Sequence, residues 1–149
     1  MTLDDLPAVL EIDRQSFPTP WPERSYRFEL TQNPAAELFV AEMHDADVVG
    51  FLGYWLIADE VHISTFAVEP DHREQGIGER LLVRALIKAR GKGADVATLE
   101  VRESNRAAIE LYQKLGFESA GRRNGYYRDN GEDAILMSLD ELDPIGGDG

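Results

Sequence analysis

Between Val61 and Val101 the chain reads as strand, polar loop, long helix and strand, and no other feature constrains the fold as much. Val61 to Val68 is rich in β-branched and aromatic residues, as strands are. Glu69 to Gly78 is polar and glycine-bearing. Ile77, Leu81, Leu82, Ala85, Leu86 and Ala89 then recur at helical spacing over about four turns. Gly91-Lys92-Gly93 closes that helix with flexible and basic residues, and Val96 to Val101 reads as a short buried strand. A strand joined to a second strand through a helix returns parallel to the first, so the chain must build an α/β layer structure around this crossover.

The flanking segments extend that layer. Thr2 and Asp5 form a capping-box-like pair ahead of a first helix carrying Leu3, Leu6, Val9, Leu10 and Phe17. Phe17-Pro18-Thr19-Pro20-Trp21-Pro22 must be a loop, because three alternating prolines forbid a helix interior. Pro22 suits the first position of a second helix, Glu23 to Thr31, which Asn33-Pro34 ends. Glu37 to Met43, Val48 to Ile57 and Val61 to Val68 are strands joined by turns at 44–47 and 59–60, an antiparallel meander. After the crossover, Ser104-Asn105 caps a helix from about Arg106 to Leu115, with Gly116 as its stop. Phe117 to Arg123 and Asp133 to Leu139 are the last strands. The expectation is one domain over residues 1–139, an α/β (α+β) fold. Its mixed, mostly antiparallel twisted sheet has six to seven strands, flanked by about four helices. Residues 140–149 form an acidic, Gly-rich tail expected to be disordered.

Composition removes several kinds of chemistry. There are no cysteines, which excludes disulfides, a thiol nucleophile and cysteine metal sites. The three histidines, His44, His62 and His72, have no metal-ligand spacing, so no metal is expected; His44 in a turn and His72 in a loop are read as solvated. Twenty-eight acids oppose 15 bases, a net charge of −13 that disfavours nucleic-acid binding. Only three of the bases are lysines, Lys88, Lys92 and Lys114. Such a surface either attracts cationic substrates or keeps the protein soluble in a high-salt cytoplasm. No run reaches the ~18 apolar residues of a membrane span, and the acidic start is unlike a signal peptide. The expected location is the cytoplasm, away from membranes.

Arg73-Glu74-Gln75-Gly76-Ile77-Gly78 carries the chemistry. Its glycines permit a tight turn and close approach of a ligand to the backbone, and the helix that follows offers unpaired N–H groups to a polyphosphate. It is not a Rossmann loop, since Leu81 takes the third glycine position, nor a P-loop. Alone, it reads equally as a tight strand-to-helix turn.

The pattern Arg73-x-x-Gly76-x-Gly78, after Phe66-Ala67-Val68-Glu69-Pro70, resembles the GNAT superfamily of N-acetyltransferases. Three further motifs resemble its RimI-type ribosomal-protein N-alpha-acetyltransferases. They are Leu99-Glu100-Val101-Arg102-Glu103-Ser104-Asn105; Ala107-Ala108-Ile109-Glu110-Leu111-Tyr112 with Leu115-Gly116-Phe117; and Arg122-Arg123-Asn124-Gly125-Tyr126-Tyr127 with Glu132-Asp133-Ala134. The resemblance spans roughly Leu3 to Leu139. Two departures stand out: the edge strand many members carry before the first helix is missing or shortened, and Gly125 reads as an insertion ahead of the tyrosine pair.

The resemblance implies transfer of acetyl from acetyl-CoA to the N-terminal α-amine of a protein, such as a ribosomal protein, by direct attack in a ternary complex. It implies that the backbone of Phe66, Ala67 and Val68 holds the pantetheine arm, with the Val68 amide on the thioester carbonyl. Arg73, Glu74, Gln75, Gly76, Ile77, Gly78 and Glu79 would hold the pyrophosphate, with the acids Glu74 and Glu79 turned outward. Asn105 would contact the cofactor near its sulfur, or act only as a helix cap. Glu100 would be the base and Tyr112 the acid; the bland readings are a surface carboxylate and a core aromatic. Phe17, Pro18, Tyr126 and Tyr127 would clamp the acceptor between two loops, with hydrophobic packing the alternative for Phe17 and Tyr126. His62, expected to share a face with Ser64 and Phe66, would line the acceptor site. Acceptors on lysine or small amines, or an acyl-CoA sensor without turnover, are the rival readings. A monomer or weak homodimer is expected.

Overall fold

The computed structural model describes residues 1–17, 20–43, 47–73, 75–127 and 129–142. The N-terminal segment winds as a 3-10 turn, Leu3–Asp5, into helix α1, Leu6–Ser16. The Thr2 backbone N–H donates to the Asp5 carboxylate at 2.8 Å, the capping contact the sequence predicts. Helix α2 spans Glu23–Thr31, with Pro22 as its extended N-cap rather than its first residue. The meander follows as β1 (Ala36–Glu42), β2 (Val48–Ile57) and β3 (Glu60–Val68). Helix α3, Ile77–Gly91, crosses over to β4, Val96–Arg102. Helix α4, Arg106–Lys114, leads to β5 (Glu118–Tyr127) and β6 (Glu132–Leu139).

The six strands form one sheet in the order β1-β2-β3-β4-β6-β5, with β3 and β4 its parallel pair. Each face carries its own apolar cluster. Leu82, Ala85, Leu86 and Ala89 of α3 pack with Leu52, Tyr54, Ile63, Leu99 and Val101, and Tyr112 and Phe117 close this cluster on the same side. Leu6, Val9 and Ile12 of α1 pack with Tyr26, Phe51 and Ala67 on the opposite face. Nonpolar side chains on both sides of β2 explain why that strand reads as a nearly continuous apolar run.

Two bulges change what the sequence pattern implies. Along β2 and β3 the register passes from Gly53–Thr65 to Tyr54–Ile63, so Ser64 is an extra residue. Ile63 and Thr65 are therefore both buried, but against opposite faces: Ile63 with the α3 cluster, Thr65 beside Tyr26 under α1. His62 does not share a face with Phe66 as expected. It pairs with Trp55 and lies on the α1/α2 side. In β5, the three residues 124–126 face Asp133 alone between the pairs Arg123–Ala134 and Tyr127–Glu132. Gly125 takes φ +61° there and its N–H donates to Asp133 Oδ1 at 2.8 Å. The apparent insertion is absorbed as a bulge, and β5 runs through Tyr127 instead of stopping at Arg123. The tyrosine pair thus ends a strand and does not sit in a loop.

Of the segment 140–149 expected to be disordered, 140–142 are described. Leu142 is buried in the α3 cluster, and its N–H donates to the Asp95 carbonyl at 3.2 Å. An apolar side chain in an acidic stretch finds the end of the core. Residues 143–149, His44 and most of its turn lie outside the described residues.

Candidate active site

Strands β3 and β4 pair only over Glu60–Val96, Val61–Ala97 and His62–Thr98. Beyond that they part, although β3 continues to Val68 and β4 to Arg102. The β4-facing edge of Phe66, Ala67 and Val68 is thus left without a strand partner, a place where an extended ligand arm can add like a strand. The gap also connects the two faces of the sheet.

Glu100 stands on one side of that gap. Its neighbours Leu99 and Val101 point into the α3 cluster, so strand alternation sends Glu100 to the α1/α2 side with Thr98 and Arg102. Its carboxylate is mostly buried, with Oε1 3.9 Å from Arg123 Nε and Oε2 buried without a hydrogen-bond partner. Tyr112 stands on the other side. Helix α4 presents it to the α3 cluster, between Phe66 (ring centroids 6.4 Å apart) and Phe117 (5.7 Å). Burial, then the nearby Tyr127, pushes the Tyr112 hydroxyl well above its ordinary range, so it stays protonated at any pH where the protein works.

Between them lies a cluster of rings and guanidinium groups. Tyr126 and Tyr127 meet edge to face at 5.1 Å. Arg102 lies over the Tyr127 ring at 4.0 Å and Arg123 over Tyr126 at 5.8 Å. A hydrogen bond with Glu100, then burial, pushes the Tyr126 hydroxyl up. Burial pushes Tyr127 up to about 12, with Arg102 opposing the shift. Arg102 is held in turn by Asp129 at 3.0 Å and Glu132 at 3.4 Å. Neither arginine was among the residues singled out from the sequence; the only signal was their place in the two motifs that carry Glu100 and the tyrosine pair.

His62 occupies the α1/α2 face in a hydrogen-bonded row. Thr98 Oγ1 donates to Glu60 Oε2 at 3.0 Å, so its oxygen is left to accept from His62 Nδ1 at 2.8 Å. The imidazole stacks on Trp55 at 6.0 Å. Phe17 packs against the cluster under α1. Pro18, expected beside it, lies outside the described residues, as does Glu74. His72, expected to be solvated, is half-buried with Nδ1 3.6 Å from Glu69 Oε2.

The glycine loop ends at Gly76, whose φ of +81° makes it the left-handed N-cap of α3. A Cβ there would meet nothing within 4 Å, so glycine is needed for its backbone angle and not for close packing within the chain. Gly78 packs instead, with Phe66 and Val68 in ordinary contact with a Cβ built on it. Gln75 precedes the turn, and Ile77 opens the helix. Arg73 turns back, donating from Nε to the Val68 carbonyl at 2.9 Å and from Nη2 to Ser16 Oγ at 3.1 Å. Glu79 accepts from Lys114 Nζ at 2.6 Å, which neutralises an acid beside the helix N-terminus. Asn105 caps α4, accepting from the Ala108 N–H at 3.2 Å.

Residues 6–117 match the acetyltransferase (GNAT) family. A Bacillus subtilis (strain 168) protein, provisionally named a [ribosomal protein bS18]-alanine N-acetyltransferase, is 41% identical over 137 residues, covering 92% of this chain and 90% of that protein. The N-alpha-acetyltransferase RimI of Mycobacterium tuberculosis (strain ATCC 25618 / H37Rv) is 35% identical over 150 residues, covering 97% and 92%. The crystal structure of the ribosomal-protein-S18-alanine N-acetyltransferase from Escherichia coli superposes with a TM-score of 0.84 at 34% identity, covering 93% of this chain and 89% of that one.

Proposed function

We propose a reaction for this chain from one premise: it belongs to the acetyltransferase (GNAT) family. The reaction is transfer of acetyl from acetyl-CoA to the N-terminal α-amine of a protein, a ribosomal protein being the acceptor class named for the Bacillus subtilis and Escherichia coli relatives. The observation that carries this reading is the parting of β3 and β4 after His62–Thr98, with Glu100 and Tyr112 on opposite sides of the opening.

The residues present fit acetyl-CoA as co-substrate. The edge of β3 at Phe66, Ala67 and Val68, which has no strand partner and where Arg73 holds the Val68 carbonyl, suits the amide groups of a pantetheine arm. The left-handed turn at Gly76, with Gln75, Ile77 and Gly78, aims backbone N–H groups at a pyrophosphate, and Lys114 keeps Glu79 from repelling it. Arg73 holds the loop to the end of β3 and to α1, so the phosphates fall to the backbone. Asn105 holds the start of α4 beside the same opening. When bound, acetyl-CoA supplies an activated acyl carbon with a thiol leaving group.

Glu100 removes a proton from the acceptor. An α-amine has a pKa of about 8, so a carboxylate finishes its deprotonation near neutral pH at small cost, whereas a lysine side chain at ~10.4 costs about 3 kcal/mol more. The bare Oε2 atom is the oxygen free to take that proton. The amine nitrogen then bonds to the acyl carbon, the carbon–sulfur bond breaks, the Tyr112 hydroxyl gives its proton to the departing sulfur, and the second proton that the nitrogen loses as the amide forms restores the Tyr112 hydroxyl. Phe17, Tyr126, Tyr127 and His62 bound the acceptor around Glu100.

The catalytic unit of this reading is the domain expected over residues 1–139, whose core Leu142 closes, and it acts as a monomer or weak homodimer. It works in the cytoplasm, where acetyl-CoA meets newly made N-termini; among the described residues, no helix is long and apolar enough to cross a membrane. The acid-rich, lysine-poor composition supports a high-salt cytoplasm. Mass spectrometry of peptides with free N-termini, beside α-blocked lysine peptides and polyamines, tests the reaction at low and high salt. Acetylated α-amines are expected; faster turnover on blocked lysine peptides would overturn the acceptor, and cofactor binding without any transfer would favour a sensor.

A further inference from the structure

Helix α2 presents Arg24, Ser25 and Phe28 on one outward stripe, and Trp21 of the preceding loop lies beside them. Across from them stands Trp55 of β2, and Glu29 forms the floor of a groove of about 480 Å3 between the two. The groove's apolar walls are not covered by the chain itself: Phe28 is 51% exposed. Its floor is rigid. Glu29 is buried and accepts from Trp55 Nε1 at 2.7 Å and from Asn33 Nδ2 at 2.5 Å, so its carboxylate is held inward by neutral donors. Its one cation is not spent. Arg24 has no carboxylate or hydrogen-bond partner among the described residues, although acids outnumber bases 28 to 15 in the chain.

This groove is continuous with the site around Glu100. Trp55 stacks on His62, His62 is hydrogen-bonded to Thr98, and Glu100 is the next residue on the same face of β4. The helices of this face, α1 and α2, chiefly contact β1 to β3, so β4, which carries Glu100, lies beyond the strands they cover. Two strand spacings and two residues along a strand separate Trp55 from Glu100 by roughly 12 Å, the reach of about four residues of extended chain.

We propose that the groove holds the third to fifth residues of the acceptor polypeptide and that Arg24 selects an acidic side chain among them. The inference rests on the N-alpha-acetyltransferase reading and adds a specificity element to it. The occupant is an extended peptide because the groove is a shallow aromatic trough leading from the amine site. Its preference is for an acid because the charge the groove presents to solvent is that of Arg24, while Glu29 is buried beneath its hydrogen bonds. Trp21, Phe28 and Trp55 supply flat apolar contact to whatever flanks that acid.

The test is a set of peptides with identical free N-termini, carrying Glu, Gln or Lys at each of positions two to six in turn. Rates are measured at low salt, where an exposed ion pair is least screened. Glu should exceed Lys at one of positions three to five by about three- to tenfold in kcat/KM, carried by KM and not kcat. Arg24→Glu should reverse the preference at that same position, an outcome a merely structural role for Arg24 would not produce. A flat scan, a preference confined to position two or six, or an Arg24→Glu enzyme that keeps the parent's preference would overturn the proposal. So would concentration-dependent dimerisation that Phe28→Ala abolishes without changing peptide kinetics, which would assign the groove to a second copy. If no free N-terminus is acetylated at all, the reaction assignment fails, and the groove assignment with it.

Discussion

Arg123 Nε lies 3.9 Å from Glu100 Oε1, while Oε2 of the same carboxylate is buried without a partner. One oxygen lies near a cation, the Tyr126 hydroxyl hydrogen-bonds the carboxylate, and Oε2 is buried on the α1/α2 side of the sheet without a partner. Such a carboxylate is oriented but not consumed by its own contacts. Glu100→Gln keeps the shape and removes the proton acceptor. It should lower kcat/KM at pH 7 by about 10²-fold or more. The deficit should shrink toward pH 9, where an α-amine with a pKa of about 8 is already free. A pH–rate profile checks this; a deficit constant from pH 6.5 to 9 would show that Glu100 acts by some means other than taking the proton.

Tyr112 is buried between Phe66 and Phe117, so loss of its hydroxyl and loss of its ring are separable. Tyr112→Phe preserves the packing and should leave the melting temperature and acetyl-CoA affinity near those of the parent while kcat falls about 10- to 100-fold. Calorimetry of acetyl-CoA binding beside steady-state kinetics separates the effects. A parallel loss of affinity and rate would make Tyr112 a packing residue.

Gly76 tests how the loop is built. Its φ of +81° with open space around a Cβ means that Ala costs about 1–2 kcal/mol of backbone strain with no clash inside the chain. Gly76→Ala should therefore weaken acetyl-CoA binding about tenfold, and Gly76→Asn, which tolerates this conformation better, should recover part of the loss. Equal affinities for all three enzymes would dissociate the turn from the cofactor.

Much of this was legible in the sequence because local rules decide it. Val48 to Ile57 reads as a strand and is one, Gly116 takes the left-handed φ of +103° expected of a helix stop, and Asn105 caps α4. The crossover from β3 through α3 to β4 followed from the order of apolar patterns alone. The face of His62 did not follow. Val61, Ile63, Thr65 and Ala67 are all buried, and that unbroken alternation conceals the extra residue at Ser64, because helices cover both faces of the sheet. A period-two pattern records burial, not which layer buries a side chain. Arg102 and Arg123 were missed for a related reason: their roles come from β4, β6 and β5 lying side by side, a pairing between strands distant in sequence.

The pair Asp13–Tyr26 gives a prediction about stability. Asp13 is buried on α1; Oδ2 accepts from the Tyr26 hydroxyl and from the Trp21 N–H at 3.3 Å, and Oδ1 has no partner. It ties the end of the loop between α1 and α2 to the cluster below. Burial raises the carboxyl above the usual range, and the hydrogen bonds from Tyr26 and Trp21 offset only part of that. A raised folded-state pKa stabilises the fold fully only below the unfolded value of about 3.9, and that contribution is lost as pH rises through the folded value. Asn cannot ionise yet still offers an oxygen to Tyr26 and Trp21. The melting temperature of Asp13→Asn should therefore gain on the parent's as pH rises from 4 to 7. Thermal denaturation of both proteins across that range decides it. Parallel curves would show that Asp13 ionises in the fold as readily as in the unfolded chain, and that its buried oxygen carries no electrostatic cost.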